Sequence, residues 1–356
     1  MNSRRAPQPA TPARHLYNPG MLDRAALHAL IDRFSGQRVL VYGDAVLDRF
    51  ILGSPKRISR EAPVIILRWE GQREVPGGGS NAMANIAALG GEVLPVTVVG
   101  EDEAGRALLA ALARCGINTA EVLVAPGFRT VSKVRLLGGG AASLKHQVAR
   151  YDVEDHLCSS HPVRTQLHAT LTRLAPRSAA VAVSDYGYGV VDRAGLDLLR
   201  RSAPPTARIV ADSRFALTEM GGVHGATPNL EELAAAAGRP LVGDEEVAAA
   251  ADALRRRLGA SFLAATRGRE GLTLVQEDAP PLHLPVYGTD QVADVTGAGD
   301  TVLATMTLAL AAGASPVEAA VLADLAGGVV VMKHGTATLT QSELHRAVDL
   351  APFLDG

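Results

Sequence analysis

Asp294-Val-Thr-Gly-Ala-Gly-Asp300 ends in a carboxylate and runs straight into an apolar stretch, Thr301 to about Ala312. Such a helix start presents unpaired N–H groups and the positive end of the helix dipole. Gly297, Ala298 and Gly299 let the backbone approach an anion closely. A carboxylate beside an anion cradle suits phosphoryl transfer to a hydroxyl. The amides hold the developing phosphate charge while Asp300 takes the hydroxyl proton. The same residues also fit a glycine-rich turn capping a core helix, so the rest of the chain must decide.

Elsewhere in the sequence, other groups suit the same chemistry. Thr227-Pro-Asn229-Leu-Glu-Glu232 opens a helix. Asn229 reads as an N-cap completed by Glu232, or as half of a pair that faces a Mg²⁺–phosphate group through water. Pro76-Gly-Gly-Gly-Ser-Asn81 precedes another helix. It is a flexible turn, or a close backbone approach to a polar ligand with Asn81 grasping sugar hydroxyls. Asp44 and Asp48, four apart after the first strand, could also grip hydroxyls or be solvated. Lys133, Arg135, Lys145 and Arg150, with Lys56 and Arg57, make two extended regions basic. They are a solvated face, or contacts for a phosphate already on the substrate. His156, Cys158 and His161 lie close together, but their spacing is not a standard metal set.

Strand–helix alternation must position these groups. Arg38–Gly43, Ala179–Val183, Arg208–Ala211 and Ser261–Ala265 read as buried strands, and 93–99, 272–275 and 282–286 as further strands. Helical patterns occupy 21–34, 81–89, 103–114, 191–201, 229–237 and 245–258, with two long helices closing the chain. This order implies a mainly parallel sheet with helices on both faces. Ligands in such sheets sit beyond the carboxyl ends of the strands. Asp44, Asp185, Asp212 and Thr266-Arg-Gly268 all fall there, on one rim. Two extended clusters, about 46–69 and 121–151, break the alternation and read as a small separate sheet, a lid.

The sequence has 356 residues, 47% hydrophobic, enough for one large α/β domain or two small ones. Net charge is −2 and aromatics are 4%. Neither favours nucleic acid or an anionic membrane surface as a partner. Two cysteines, Cys115 and Cys158, rule out a disulfide framework and fit a reducing cytoplasm. The apolar run Val302–Ala312 is too short to span a bilayer, and the next run is interrupted by Asp324. Residues 1–20 read as a disordered tail with no export-signal core. No P-loop and no dinucleotide fingerprint is present, so nucleotide phosphates need another cradle. Gly297–Gly299 is the candidate.

Pro76–Asn81, Asn229-x-x-Glu232, Thr266-Arg-Gly268 and Asp294–Asp300, in this order and spacing, resemble the ribokinase-like (PfkB) sugar kinases. The likeness covers roughly residues 37–345. It implies an α/β fold: a ribokinase-like three-layer α/β/α sandwich with a mainly parallel central sheet and a small β-sheet lid, over residues 21–350. By the resemblance, Asp300 is the catalytic base and Gly297 and Gly299 form the anion hole. Asn229 and Glu232 organise Mg²⁺ and the phosphates of ATP. Asp48, Gly77, Gly78 and Asn81 bind the sugar. Thr266 and Gly268 border the nucleotide, and Asp294 and Thr296 belong to a loop holding a monovalent cation, commonly K⁺. A homodimer formed through the lid is the implied assembly.

Within that family the likeness extends to D-glycero-β-D-manno-heptose 7-phosphate kinases. It rests on Val41-Tyr-Gly-Asp44-Ala-Val-Leu-Asp48-Arg-Phe, Arg57-Ile-Ser-Arg-Glu61-Ala-Pro-Val, Asn81–Gly90, and Lys133-Val-Arg135 followed by Gln147-x-x-Arg150-x-Asp152. It implies a heptose 7-phosphate acceptor met by Lys133, Arg135, Gln147, Arg150 and Asp185. The match is to the kinase half of enzymes that can continue into a nucleotidyltransferase domain. Arg60 stands where proline is usual, Tyr188 where lysine is common, and Gly138–Lys145 lengthens the lid connection. Other acceptors (ribose, fructose, a nucleoside, another sugar phosphate) and a catalytically silent sugar-binding regulator remain alternatives.

Overall fold

In the computed structural model, residues 22–139, 145–288, 293–333 and 335–354 are described. The expected tail, residues 1–20, and most of the lengthened lid connection lie outside them. In chain order the elements are α1 (Arg24–Asp32), β1 (Arg38–Gly43), β2 (Ala45–Ile58), β3 (Ile65–Gly78), α2 (Gly79–Ala88), β4 (Glu92–Val96), β5 (Val98–Gly100), α3 (Glu103–Arg114), β6 (Leu123–Ala125), β7 (Val131–Gly138) and β8 (His146–Val153). Then come α4 (Val163–Leu174), β9 (Ala180–Asp185), α5 (Arg193–Ser202), β10 (Arg208–Ser213), β11 (Gly225–Ala226), α6 (Leu230–Ala237) and α7 (Gly243–Leu258). The chain closes with β12 (Phe262–Thr266), β13 (Leu272–Gln276), β14 (Leu282–Leu284), α8 (Ala298–Ala311), α9 (Pro316–Val331) and α10 (Gln341–Leu350).

The central sheet runs β14-β13-β12-β11-β10-β9-β1-β4. Neighbours are parallel from β4 to β12. The edge strands β13 and β14 are antiparallel. Both faces are buried, which is why the strands read as unbroken apolar runs. On β1, Val39 and Val41 enter the core under α1, α2, α8 and α9, whereas Leu40 and Tyr42 enter the core under α4 to α7. Period-two alternation therefore divides one strand between two cores. Each fully buried Leu or Val contributes about 1.5–3 kcal/mol of transfer free energy.

A second sheet, β3-β2-β7-β8, is built from two separate stretches of chain. It extends further than the sequence suggests, because β3 continues to Gly78 and delivers α2 directly. β6, expected to belong to it, instead pairs with β5 in a small sheet of its own. The expected single strand 93–99 breaks at Thr97, whose hydroxyl donates to the Gly43 carbonyl at 2.7 Å. Helix α4 escaped sequence reading. Its buried stripe, Val163, Leu167, Leu171 and Leu174, is diluted by polar neighbours that weaken the helical period.

Candidate active site

Helix α8 starts at Ala298, three residues before the expected point, with Gly297 as its cap at φ 82°. Asp300 therefore lies in the first turn, 2% exposed. A side chain at Gly297 would place its Cβ 2.5 Å from Asn81 Nδ2, so this corner admits only glycine. Asn81 Nδ2 donates to Asp300 Oδ2 at 3.1 Å and to the Gly297 carbonyl at 3.2 Å. Asn85 Nδ2 in turn donates to Asn81 Oδ1 at 3.1 Å. The amide of Asn81, a residue expected on the sugar, thus holds Asp300.

On the other side, Tyr186 donates its hydroxyl to Asp300 Oδ1 at 2.8 Å. Burial pushes the Asp300 carboxyl up to about 7, with the two hydrogen bonds holding it down and the Asp48 charge adding to the rise. A carboxyl titrating there is matched to taking a proton near neutral pH.

The lid strand β2 brings Asp48 to this centre. Asp48 faces Lys133 across the parallel β2–β7 register. Arg135, two residues on, shares that face and grips Asp48 Oδ1 at 2.6 Å. Thr336 donates to Asp48 Oδ2 at 2.6 Å. Gly77 is needed opposite, because a Cβ there would meet Asp48 Oδ2 at 2.7 Å. Lys133 Nζ lies 5.1 Å from the centre of the Tyr186 ring. Burial lowers its pKa, and the Asp48 charge opposes that shift. Gln147 and Arg150 are on the exposed edge strand β8. Arg150 is chelated by Asp152 at 2.6 and 2.8 Å.

Two more of the expected acids, Asp44 and Asp185, hold one turn. Asp44 is 1% exposed, and its oxygens accept the N–H groups of Tyr186, Tyr188 and Val190. It shapes the 186–190 turn. Asp185 accepts the Ser213 hydroxyl at 2.6 Å and the Gly187 N–H at 3.0 Å, bracing the same turn. Their charge is spent on backbone and hydroxyl donors, a common fate for acids at strand ends. Tyr188 donates to Glu154 at 2.9 Å, tying the turn to the chain beyond β8.

Asn229 and Glu232 form a capping box on α6, with both bonds at 2.9 Å. Thr266 lies beside Asn229 in a parallel bridge. Burial raises the Glu232 carboxyl. Asp212, at the end of β10, is raised well above the usual range by burial and then by Glu232, Asp300 and Asp185. Its Oδ1 is buried without a partner. Asp212 and Tyr186 were not read as site residues, and Thr336 carried no signal at all. The only sequence signal for Asp212 is its place after a strand, on the same rim as Asp185. Asp294 accepts the N–H groups of Thr296 and Gly335 at 2.9 and 3.1 Å, so it joins two loops.

Beside the α8 start lies a cavity of about 180 Å³. Thr266, Gly268, Leu272, Val295, Gly299 and Asp324 are among its walls.

The pfkB family carbohydrate kinase profile matches residues 37–146 and 208–343. The chain belongs to the pfkB family of carbohydrate kinases. This pfkB-family chain is 39% identical over 324 residues to the Bifunctional protein HldE of Mesorhizobium japonicum, covering 90% of the chain and 64% of the relative. It is 41% identical over 334 residues to the Bifunctional protein HldE of Caulobacter vibrioides, covering 91% and 65%. The chain thus spans just under two thirds of the length of these curated relatives. Among solved structures, phosphofructokinase-2 from Escherichia coli in complex with substrates and products superposes with a TM-score of 0.71 at 20% identity, covering 88% of this chain and 98% of that one. Arabidopsis thaliana ribokinase complexed with ribose and ATP gives 0.68 at 18% identity, covering 89% and 100%. Those two likenesses establish the ribokinase-like fold.

Proposed function

We propose that this chain transfers the γ-phosphoryl group of ATP to a sugar hydroxyl. The proposed acceptor is O1 of D-glycero-β-D-manno-heptose 7-phosphate, and the product is the 1,7-bisphosphate. The observation that carries the phosphotransfer is Asp300, buried in the first turn of α8 and held by Asn81 and Tyr186 with its pKa at about 7. The acceptor hydroxyl gives its proton to Asp300 as its oxygen bonds to the γ-phosphorus. The bond from that phosphorus to the bridging oxygen breaks and ADP leaves. The amides of residues 297–300 stabilise the charge that develops.

Asn229 and Glu232 would hold Mg²⁺ largely through water, with Asp212 behind them. Bound there, the ion neutralises phosphate charge. Asp294 and Thr296 would hold K⁺. Lys133, Arg135, Gln147 and Arg150, on adjacent lid strands, would receive the sugar's distal phosphate. Closure of the lid would exclude water as a competing acceptor. Exposed Ile58, Ile65, Trp69, Val148 and Tyr151 on the lid strands support a homodimer through that sheet.

Another sugar is the second reading. Arg135 and Arg150 already hold Asp48 and Asp152, which leaves less positive charge for a second phosphate. ADP release with Mg-ATP and K⁺ against a panel of sugars and sugar phosphates decides. Turnover with heptose 7-phosphate alone supports the first reading. Turnover with an unphosphorylated sugar keeps the chemistry and replaces the acceptor. No turnover with any sugar removes the kinase reading in favour of a silent binder.

A further inference from the structure

Asn85 lies one turn beyond Asn81 on α2 and is 0% exposed. No step of the phosphoryl transfer touches it. Its Nδ2 donates to the Asn81 carbonyl at 3.0 Å and to Asn81 Oδ1 at 3.1 Å. Both of those atoms only accept, so the nitrogen must face them. That choice leaves Asn85 Oδ1 buried and, among the described residues, without a partner. An orphaned buried acceptor is costly and calls for a reason. The Asn81 carbonyl is not the reason, because the backbone N–H of Asn85 already serves it within α2.

The reason lies at Asn81 Oδ1, for which Asn85 is the one side-chain donor among the described residues. The nitrogen of the same Asn81 amide faces Asp300 Oδ2 and the Gly297 carbonyl. We propose that Asn85 is a positioning residue for the base: it pins the Asn81 amide with its nitrogen toward Asp300 and bars the flip that would stabilise the protonated acid. The inference rests on reading Asp300 as the base of a sugar kinase.

The two ends of an amide do opposite things. While Asp300 is a carboxylate it only accepts, and the Asn81 nitrogen suits it. Once Asp300 holds the proton its O–H is a donor, and an amide free to turn would offer Oδ1 to it. Such a turn favours the protonated form and raises the pKa. With Asn85 in place, the turn sets two NH₂ groups against each other and takes the donor from the Gly297 carbonyl. Burial pushes the Asp300 carboxyl up to about 7, and the Asn81 amide is foremost among the groups opposing the rise. The other groups whose charge or hydrogen bond bears on Asp300 are Asp48 on β2, Lys133 on β7, Tyr186 after β9 and Asp212 on β10. Among the described residues, the side-chain bonds of Asn85 go to Asn81 alone.

The test is kcat against pH, with Mg-ATP and the acceptor that gives most turnover in the sugar panel. It compares the unaltered chain, Asn85→Leu, Asn81→Ala and the double variant. Asn85→Leu should move the acidic limb up by about one pH unit, the size of one hydrogen bond to a charged group. Turnover is then about 10-fold lower near pH 6 and nearly recovered near pH 9. Adding Asn85→Leu to Asn81→Ala should change nothing further, because the two residues act as one unit. Asn85→Ala repeats the measurement should Leu fail to pack. An unmoved acidic limb in a folded N85L or N85A overturns the proposal. So does an equal loss at every pH, which marks a packing role, or a further loss in the double variant. Full turnover by Asp300→Asn, or no turnover by the unaltered chain with any sugar, overturns the reading of Asp300 along with it. An inert Asn85 in an enzyme that depends on Asp300 overturns this inference alone.

Discussion

The Tyr186 hydroxyl sits 2.8 Å from Asp300 Oδ1 and donates to it. Tyr186 is thereby a positioning residue for Asp300, the proposed base. A donor to a carboxylate favours its charged form, and Tyr186 is one of the groups restraining the rise of the Asp300 pKa. Tyr186→Phe should therefore push that pKa higher. The rate rises with pH as Asp300 loses its proton, so the acidic limb of kcat against pH should move to higher pH. The variant should be several-fold slower near pH 6.5 and recover towards pH 8.5. A uniform loss at every pH would mean that the hydroxyl acts elsewhere.

Asp300→Asn removes the proton acceptor and keeps the shape. Turnover should fall by on the order of 10²–10⁴-fold, the usual size of a general-base contribution. Circular dichroism should be unchanged. Near-normal turnover would remove Asp300 from its role.

The buried acids also make stability depend on pH. Asp300 is raised to about 7 and Asp44 to about 6, with Asp212 and Asp324 raised well above the ordinary value, all chiefly by burial. Between about pH 4 and 7 the folded chain therefore binds more protons than the unfolded chain. Stability must fall as pH rises across that window. The unliganded protein should melt several degrees higher at pH 5 than at pH 8, and Asp300→Asn should flatten the difference. A melting temperature that climbs from pH 5 to 8 would contradict the sign.

Arg135 and Asp48 form a buried ion pair, with side chains 8% and 5% exposed. Removing one partner strands the other charge away from water. Arg135→Leu should destabilise the protein by about 3–5 kcal/mol, the usual cost of breaking a buried pair. Urea unfolding measures this, and a loss under 1 kcal/mol would show that water reaches Asp48.

Gly297 combines φ 82° with a contact that leaves no room for a Cβ. Gly297→Ala should cost about 1–3 kcal/mol of backbone strain. It should also displace the Asn81 amide from Asp300. Turnover should drop further than Asn81→Ala alone reduces it, because the anion cradle moves too. Equal losses in the two variants would confine the effect to Asn81.

The layered α/β scheme was legible before folding, because strands buried on both faces must be apolar throughout and helices must repeat every 3.6 residues. The start of α8 was legible too. Gly297 to Asp300 is a contiguous stretch, so backbone freedom, helix start and carboxylate are read together. Local capping at Asn229 and Glu232 was legible for the same reason. The partners of each acid were not. Asp48 is held by Arg135 and Thr336, 87 and 288 residues away in the chain. Asp300 is held by Asn81 and Tyr186, 219 and 114 residues away. Such pairings follow from strand register and helix packing, to which local periodicity is blind. Folding alone makes Asp44 and Asp185 shape a turn, buries Asp212 with an unpartnered oxygen, and turns Asp324 toward a cavity. In each case burial and the nearest donor set the role of a carboxylate whose residue type alone says only that it can carry charge.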